Sequence, residues 1–142
     1  MGDLGGGAGP AIAGLRIMVQ TLFIRHLLVV DDDADSADAL AALLRLALPH
    51  WDVAVAYNGW TAVEFARHSP LEVVVLDIEM PRLDGFDTAA AMRAVTQGTL
   101  PVTVAVSGNP SKLATALVSG VFDRALPKPI NVAQLKAMCE PF

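Results

Sequence analysis

The stretch VVVLDIEMPRLDG, from Val73 to Gly85, most constrains how this chain can fold. Four consecutive apolar residues, Val73 to Leu76, three of them β-branched, predict a strand buried on both faces. A single acid, Asp77, stands where that strand ends. Met80-Pro81 then breaks the pattern, and Leu83-Asp84-Gly85 turns the chain into a helix. An acid at the carboxyl end of a buried parallel strand lies where open α/β sheets hold their ligands. The plain alternative is that Asp77 only caps a loop.

The flanking sequence repeats the strand-then-helix pattern. Strands are predicted at Ile24–Val30, Val53–Tyr57, Val73–Leu76, Val102–Val106 and Arg124–Leu126. Helices are predicted at about 35–48, 59–69, 86–95, 110–118 and 132–140. In the first helix Leu40, Leu43, Leu44, Ala47 and Leu48 recur at helical spacing, Asp33 or Asp35 is placed to cap it, and Pro49 ends it. In the second, Ala62, Val63, Phe65 and Ala66 are expected to face inward. Five alternations with short connections predict a doubly wound α/β fold around a five-stranded parallel sheet, with right-handed crossovers. A composition of 54% hydrophobic and 18% charged residues suits a sheet covered on both faces.

In such a sheet the carboxyl ends of all strands share one edge. Strand one brings Asp31, Asp32 and Asp33 there, strand three Asp77, strand four Ser107 and strand five Lys128. Two carboxylates about 4 Å apart repel by roughly 4 kcal/mol at the effective dielectric of a protein surface. A cluster of them therefore calls for compensation by Lys128, by a hard divalent cation such as Mg²⁺, or by both. A carboxylate beside an ammonium and a metal suits phosphoryl transfer, with Ser107 as a hydrogen-bond donor. Each residue also has a structural reading: helix capping for the acidic run, a turn for Ser107, solvation for Lys128. A calcium loop through Asp31, Asp33 and Asp35 fails, because Ser36 stands where Gly is required and Ala42 where a bidentate Glu is required.

Four segments in this order and spacing resemble the receiver domains of bacterial two-component response regulators, of the chemotaxis-regulator type. They are LLVVDDD at Leu27–Asp33, VVLDIEMPRLDG at Val74–Gly85, PVTVAVSG at Pro101–Gly108 and LPKPI at Leu126–Ile130. The resemblance implies a flavodoxin-like receiver fold with strand order 2-1-3-4-5. It implies that Asp77 accepts a phosphoryl group from a phosphohistidine, on a histidine kinase or histidine phosphotransfer protein. It further implies Mg²⁺ held by Asp32 directly, by Asp31 through a water, by Asp77 and by the backbone carbonyl of Glu79. Ser107 corresponds to the switch hydroxyl and Lys128 to the lysine on the phosphoryl oxygen, with the Lys128-Pro129 bond cis. Such a domain catalyses only its own phosphorylation and slow dephosphorylation, so it is not an enzyme in the ordinary sense. Ala125 departs from the pattern, since many receivers carry Tyr or Phe there as part of the switch. Glu79 and Asn109 occupy positions where the family tunes dephosphorylation. The usual contact surface would include Lys112, Ala116, Arg124, Ala125 and Lys136.

Residues 24–142 are therefore expected to form the receiver domain, and residues 1–23 a flexible or partly helical extension. Five of the first ten residues are Gly, and the apolar run from Ala11 to Phe23 is interrupted by Arg16 and Gln20. That run is too short and broken to span a bilayer, residue 6 is Gly where a myristoylation site needs Ser or Thr, and the start lacks a basic secretory region. A net charge of −5 argues against nucleic-acid binding, and a single cysteine, Cys139, fits a reducing cytoplasmic compartment. A monomer or weak homodimer is expected, without membrane or nucleic-acid partners, and no output domain is expected after Phe142. The alternatives are a phosphorylation-independent pseudo-receiver that acts by contact and, more remotely, a haloacid-dehalogenase-like phosphohydrolase using Asp31.

Overall fold

The computed structural model describes residues 14–15 and 24–142. The expected extension at 1–23 lies outside the described residues except for Gly14 and Leu15, which are helical. The apolar strand at the centre of the sequence is also central in the sheet. β3 (Val73–Asp77) is buried along its whole length and pairs in parallel with β1 (Arg25–Val30) on one side and β4 (Val102–Ser107) on the other. β2 (Trp51–Ala56) flanks β1 and β5 (Arg124–Pro127) flanks β4, so the five parallel strands run 2-1-3-4-5. Fold class and strand order are as the sequence predicted, with element ends shifted by one or two residues.

Strand alternation builds two cores. Leu28, Val30, Val74, Leu76 and Ala105 face α2 (Gly59–His68), α3 (Gly85–Val95) and Ala116 of α4 (Pro110–Val118). Leu27, Val29, Val73, Val75, Val104 and Val106 face α1 (Ala34–Ala47) and α5 (Val132–Cys139), where Leu44 and Leu135 are fully buried. A parallel sheet without β-branched and aliphatic residues at consecutive positions could not satisfy both faces.

The helices start sharply because the loops carry capping side chains. Asn58, Asp84, Asn109 and Asn131 accept from the backbone N–H of Thr61, Asp87, Ser111 and Gln134 at 2.8, 2.9, 2.9 and 3.2 Å. α1 is the exception: Asp33 sits at its N-cap, yet its carboxylate accepts from the Ser36 hydroxyl at 2.8 Å and makes no backbone capping bond. Two sequence expectations need correction. Leu43 is 51% exposed, because α1 meets the sheet through Ala37, Ala41 and Leu44 and turns Leu43 outward. Ala116, expected on an outer contact surface, is fully buried against the sheet.

Candidate functional site

The rim of the sheet is shaped by backbone geometry before any side chain acts. The Asp31 N–H donates to the Ala56 carbonyl at 3.2 Å, which carries the β1–β2 ladder one residue past β1 and fixes the start of the acidic run. On β3, the Ile78 N–H donates to the Val106 carbonyl at 3.0 Å, and the next turn folds tightly back. Gly85 N–H reaches the Ile78 carbonyl at 3.0 Å. A Cβ on Gly85 would lie 2.5 Å from the Ile78 Cα and 2.7 Å from the Asp77 carbonyl oxygen, so only glycine allows this close return. On β5, the Lys128 N–H donates to the Ser107 carbonyl at 3.0 Å and the Lys128-Pro129 bond is cis.

These constraints bring Asp31, Asp32, Asp77 and Lys128 together and join Ser107 to them through Glu79, whereas Asp33, also expected on this rim, bonds Ser36 at the start of α1 instead. Asp77 is 4% exposed. Its Oδ1 accepts from the Glu79 N–H at 3.1 Å, and its Oδ2 lies 3.3 Å from Lys128 Nζ. Lys128 Nζ is also 3.9 Å from an Asp31 carboxylate oxygen. Carboxylate oxygens of Asp31, Asp32 and Asp77 lie within 4.8 Å of one another, with Asp32 the exposed member. Ser107 is fully buried, and its Oγ accepts from the Asn109 N–H at 2.9 Å while donating to a Glu79 carboxylate oxygen. That same Glu79 oxygen lies 3.9 Å from Lys112 Nζ on α4. The Glu79–Ser107–Lys112 network escaped the sequence reading. Its members lie 28 or more residues from Glu79 along the chain, and no local pattern joins them.

Comparison with known proteins agrees with this geometry. The family model for the response regulator receiver domain matches residues 27–140. The chain belongs to the response regulator receiver family. It is 35% identical over 117 residues to the transcriptional regulatory protein CpxR homolog of Haemophilus influenzae, covering 79% of this chain and 49% of that one. It is similar to a response regulator signal receiver domain from Bermanella marisrubri, at 30% identity and a TM-score of 0.71, covering 83% of this chain and 97% of that one. A CheY-like receiver domain from Methylobacillus flagellatus shares the fold at a TM-score of 0.74 and 24% identity, covering 83% and 98%. The chain spans about half the length of the curated relatives it matches.

In this receiver the electrostatics of the rim are uneven. Burial raises the Asp77 carboxyl to about 6; the Glu79 N–H and Lys128 pull it down while Asp31 pushes it up. Burial alone would lower Lys128, yet the neighbouring Asp77 and Asp31 charges outweigh it and hold the ammonium above its usual range. Asp33 is held below the ordinary carboxylate range by the Ser36 hydroxyl. The result is a buried carboxylate at the end of β3, flanked by one cation and two further acids. Among the described residues no helix is long and apolar enough to cross a membrane.

Proposed function

We propose that this receiver is a phosphorylatable relay module, taking a phosphoryl group from a histidine kinase or histidine phosphotransfer protein onto Asp77. The observation that carries the reading is Asp77 itself, buried to 4% exposure yet paired with Lys128 at 3.3 Å and facing Asp31 and Asp32. A structural acid would not be buried beside two others.

The donor set fits a hard divalent cation, since three carboxylates present oxygens within 4.8 Å of one another. Asp31, Asp32 and Asp77, with the Glu79 backbone carbonyl, would hold Mg²⁺, which when bound neutralises charge on the transferring phosphoryl group. Asp77 is the nucleophile: its Oδ forms the new P–O bond as the P–N bond of phosphohistidine breaks, and the imidazole leaves with the electron pair. The product is an acyl phosphate. Lys128, already at Asp77, pairs with a phosphoryl oxygen, and the Ser107 hydroxyl donates to another.

Residues 24–142 form the unit that performs this, with 1–23 as an extension. The reading implies a cytoplasmic module that switches protein contacts and catalyses only its own phosphorylation and slow dephosphorylation, as a monomer or weak dimer. The whole relatives include transcriptional regulators; for the acidic domain described here no nucleic-acid contact is proposed.

Incubation with Mg²⁺ and acetyl phosphate followed by intact-mass measurement tests this. A phosphoryl adduct on wild type and none on Asp77→Asn is the expected result. No adduct on wild type, or one that survives Asp77→Asn, overturns it and leaves the contact-only pseudo-receiver as the better account.

A further inference from the structure

The Ser107 hydroxyl has one proton, and in this structure that proton is committed to Glu79. Its oxygen is also engaged, by the Asn109 N–H at 2.9 Å. Ser107 therefore cannot donate to a phosphoryl oxygen while the Glu79 bond persists. The Glu79 carboxylate also faces Lys112 Nζ at 3.9 Å, and Lys112 lies in the first turn of α4, directly after the Asn109 cap. One acidic side chain thus reaches from the loop after β3 to both the buried hydroxyl and the helix beyond it.

The arrangement is releasable. The Glu79 and Lys112 side chains are 38% and 48% exposed, so both have water as an alternative partner. A phosphoryl group on Asp77, two residues away, brings a charge of about −2 toward the same space and repels the carboxylate.

We propose that Glu79 is a latch: it withholds the Ser107 proton, tethers α4 through Lys112, and must be displaced when Asp77 is phosphorylated, so that release of Lys112 carries the signal to α4. The inference rests on the phosphoacceptor reading above and adds to it a positioning residue and a route outward. Glu79→Ala removes both contacts, and Lys112→Met removes only the tether.

The test measures adduct formation against time at saturating Mg²⁺ and fixed acetyl phosphate, together with backbone amide exchange along α4. Losing one charge-assisted hydrogen bond and one exposed ion pair should speed Glu79→Ala by about three- to tenfold over wild type. Lys112→Met should speed labelling less, and adding it to Glu79→Ala should change nothing further. Without any phosphodonor, Glu79→Ala should already show α4 exchange raised to the level of phosphorylated wild type. A Glu79→Ala rate within about twofold of wild type or slower, a Lys112→Met effect undiminished in the double variant, or unchanged α4 exchange would each overturn the latch. A wild type that takes no phosphoryl group, or an Asp77→Asn that does, overturns the phosphoacceptor reading instead, and the donor-free exchange comparison separates the two failures.

Discussion

At Asp77 the fold holds a carboxyl whose charge it disfavours. The folded pKa, about 6, lies above the ordinary 3.8, and burial is the main cause. The native state therefore binds its proton more tightly than the unfolded chain does. Below about pH 4 both states are protonated and Asp77 imposes no penalty; as pH rises toward 6 the unfolded chain ionises first and native stability falls. At pH 7, without divalent cation, the penalty is on the order of 1–3 kcal/mol. Asp77→Asn keeps the shape and drops the charge. It should be more stable than wild type by that amount at pH 7 and about equal to it at pH 4, in urea unfolding with chelator present. A wild type that gains stability relative to Asp77→Asn between pH 4 and pH 7 would refute the assignment of burial as the dominant influence.

At the scale of elements, the turn from β3 into α3 depends on Gly85, because the missing Cβ would meet backbone rather than a movable side chain. Gly85→Ala should cost about 2–4 kcal/mol by urea midpoint, with the displacement falling on Asp77 and so slowing its labelling as well. Asp84→Ala, which removes only the α3 cap, should cost about 1 kcal/mol and leave labelling nearly intact. The two substitutions separate helix stability from site geometry. Why this turn was legible from sequence while other features were not has a physical answer. Asp31, Asp32, Asp77, Ser107 and Lys128 each follow an apolar strand, and strand direction alone sends them to one edge. Leu43 lies in the Ala-rich α1, where small residues make the apolar face wide and its true centre ambiguous, while Ala116 is expected outward only through the resemblance, which does not say which residues of α4 turn to the sheet. Sequence offers both Asp33 and Asp35 as the α1 cap; the structure has Asp33 there, and the choice between the backbone and Ser36 is made by side-chain geometry. The Glu79–Lys112 pair joins the loop after β3 to the first turn of α4, and no sequence period encodes such a meeting.

At the scale of the whole molecule, the acidic pocket exists only when the sheet does. Asp31 and Asp32 come from the end of β1 and Asp77 from the end of β3, and the two ends meet through the β1–β3 register that pairs Val30 with Leu76. The unfolded chain has no such constellation, so a cation that binds the three carboxylates binds the native state alone and stabilises it by mass action. Free Mg²⁺ at ten times its dissociation constant should then add about 1.4 kcal/mol, a rise in Tm of several degrees for a domain of this size. The rise should be largest near pH 7, where Asp77 is mainly ionised, and shrink below pH 6, where a proton competes for the same oxygen. Chelation should reverse it, and Asp32→Asn should abolish it while leaving both cores, and hence the metal-free Tm, close to wild type. A Tm in wild type that does not respond to Mg²⁺ at pH 7, or one that responds equally in Asp32→Asn, would mean that the three acids are held together for some purpose other than a cation. The same core that makes the sheet stable without metal thus allows the rim to carry mutually repelling charge until a cation or a phosphoryl group relieves it.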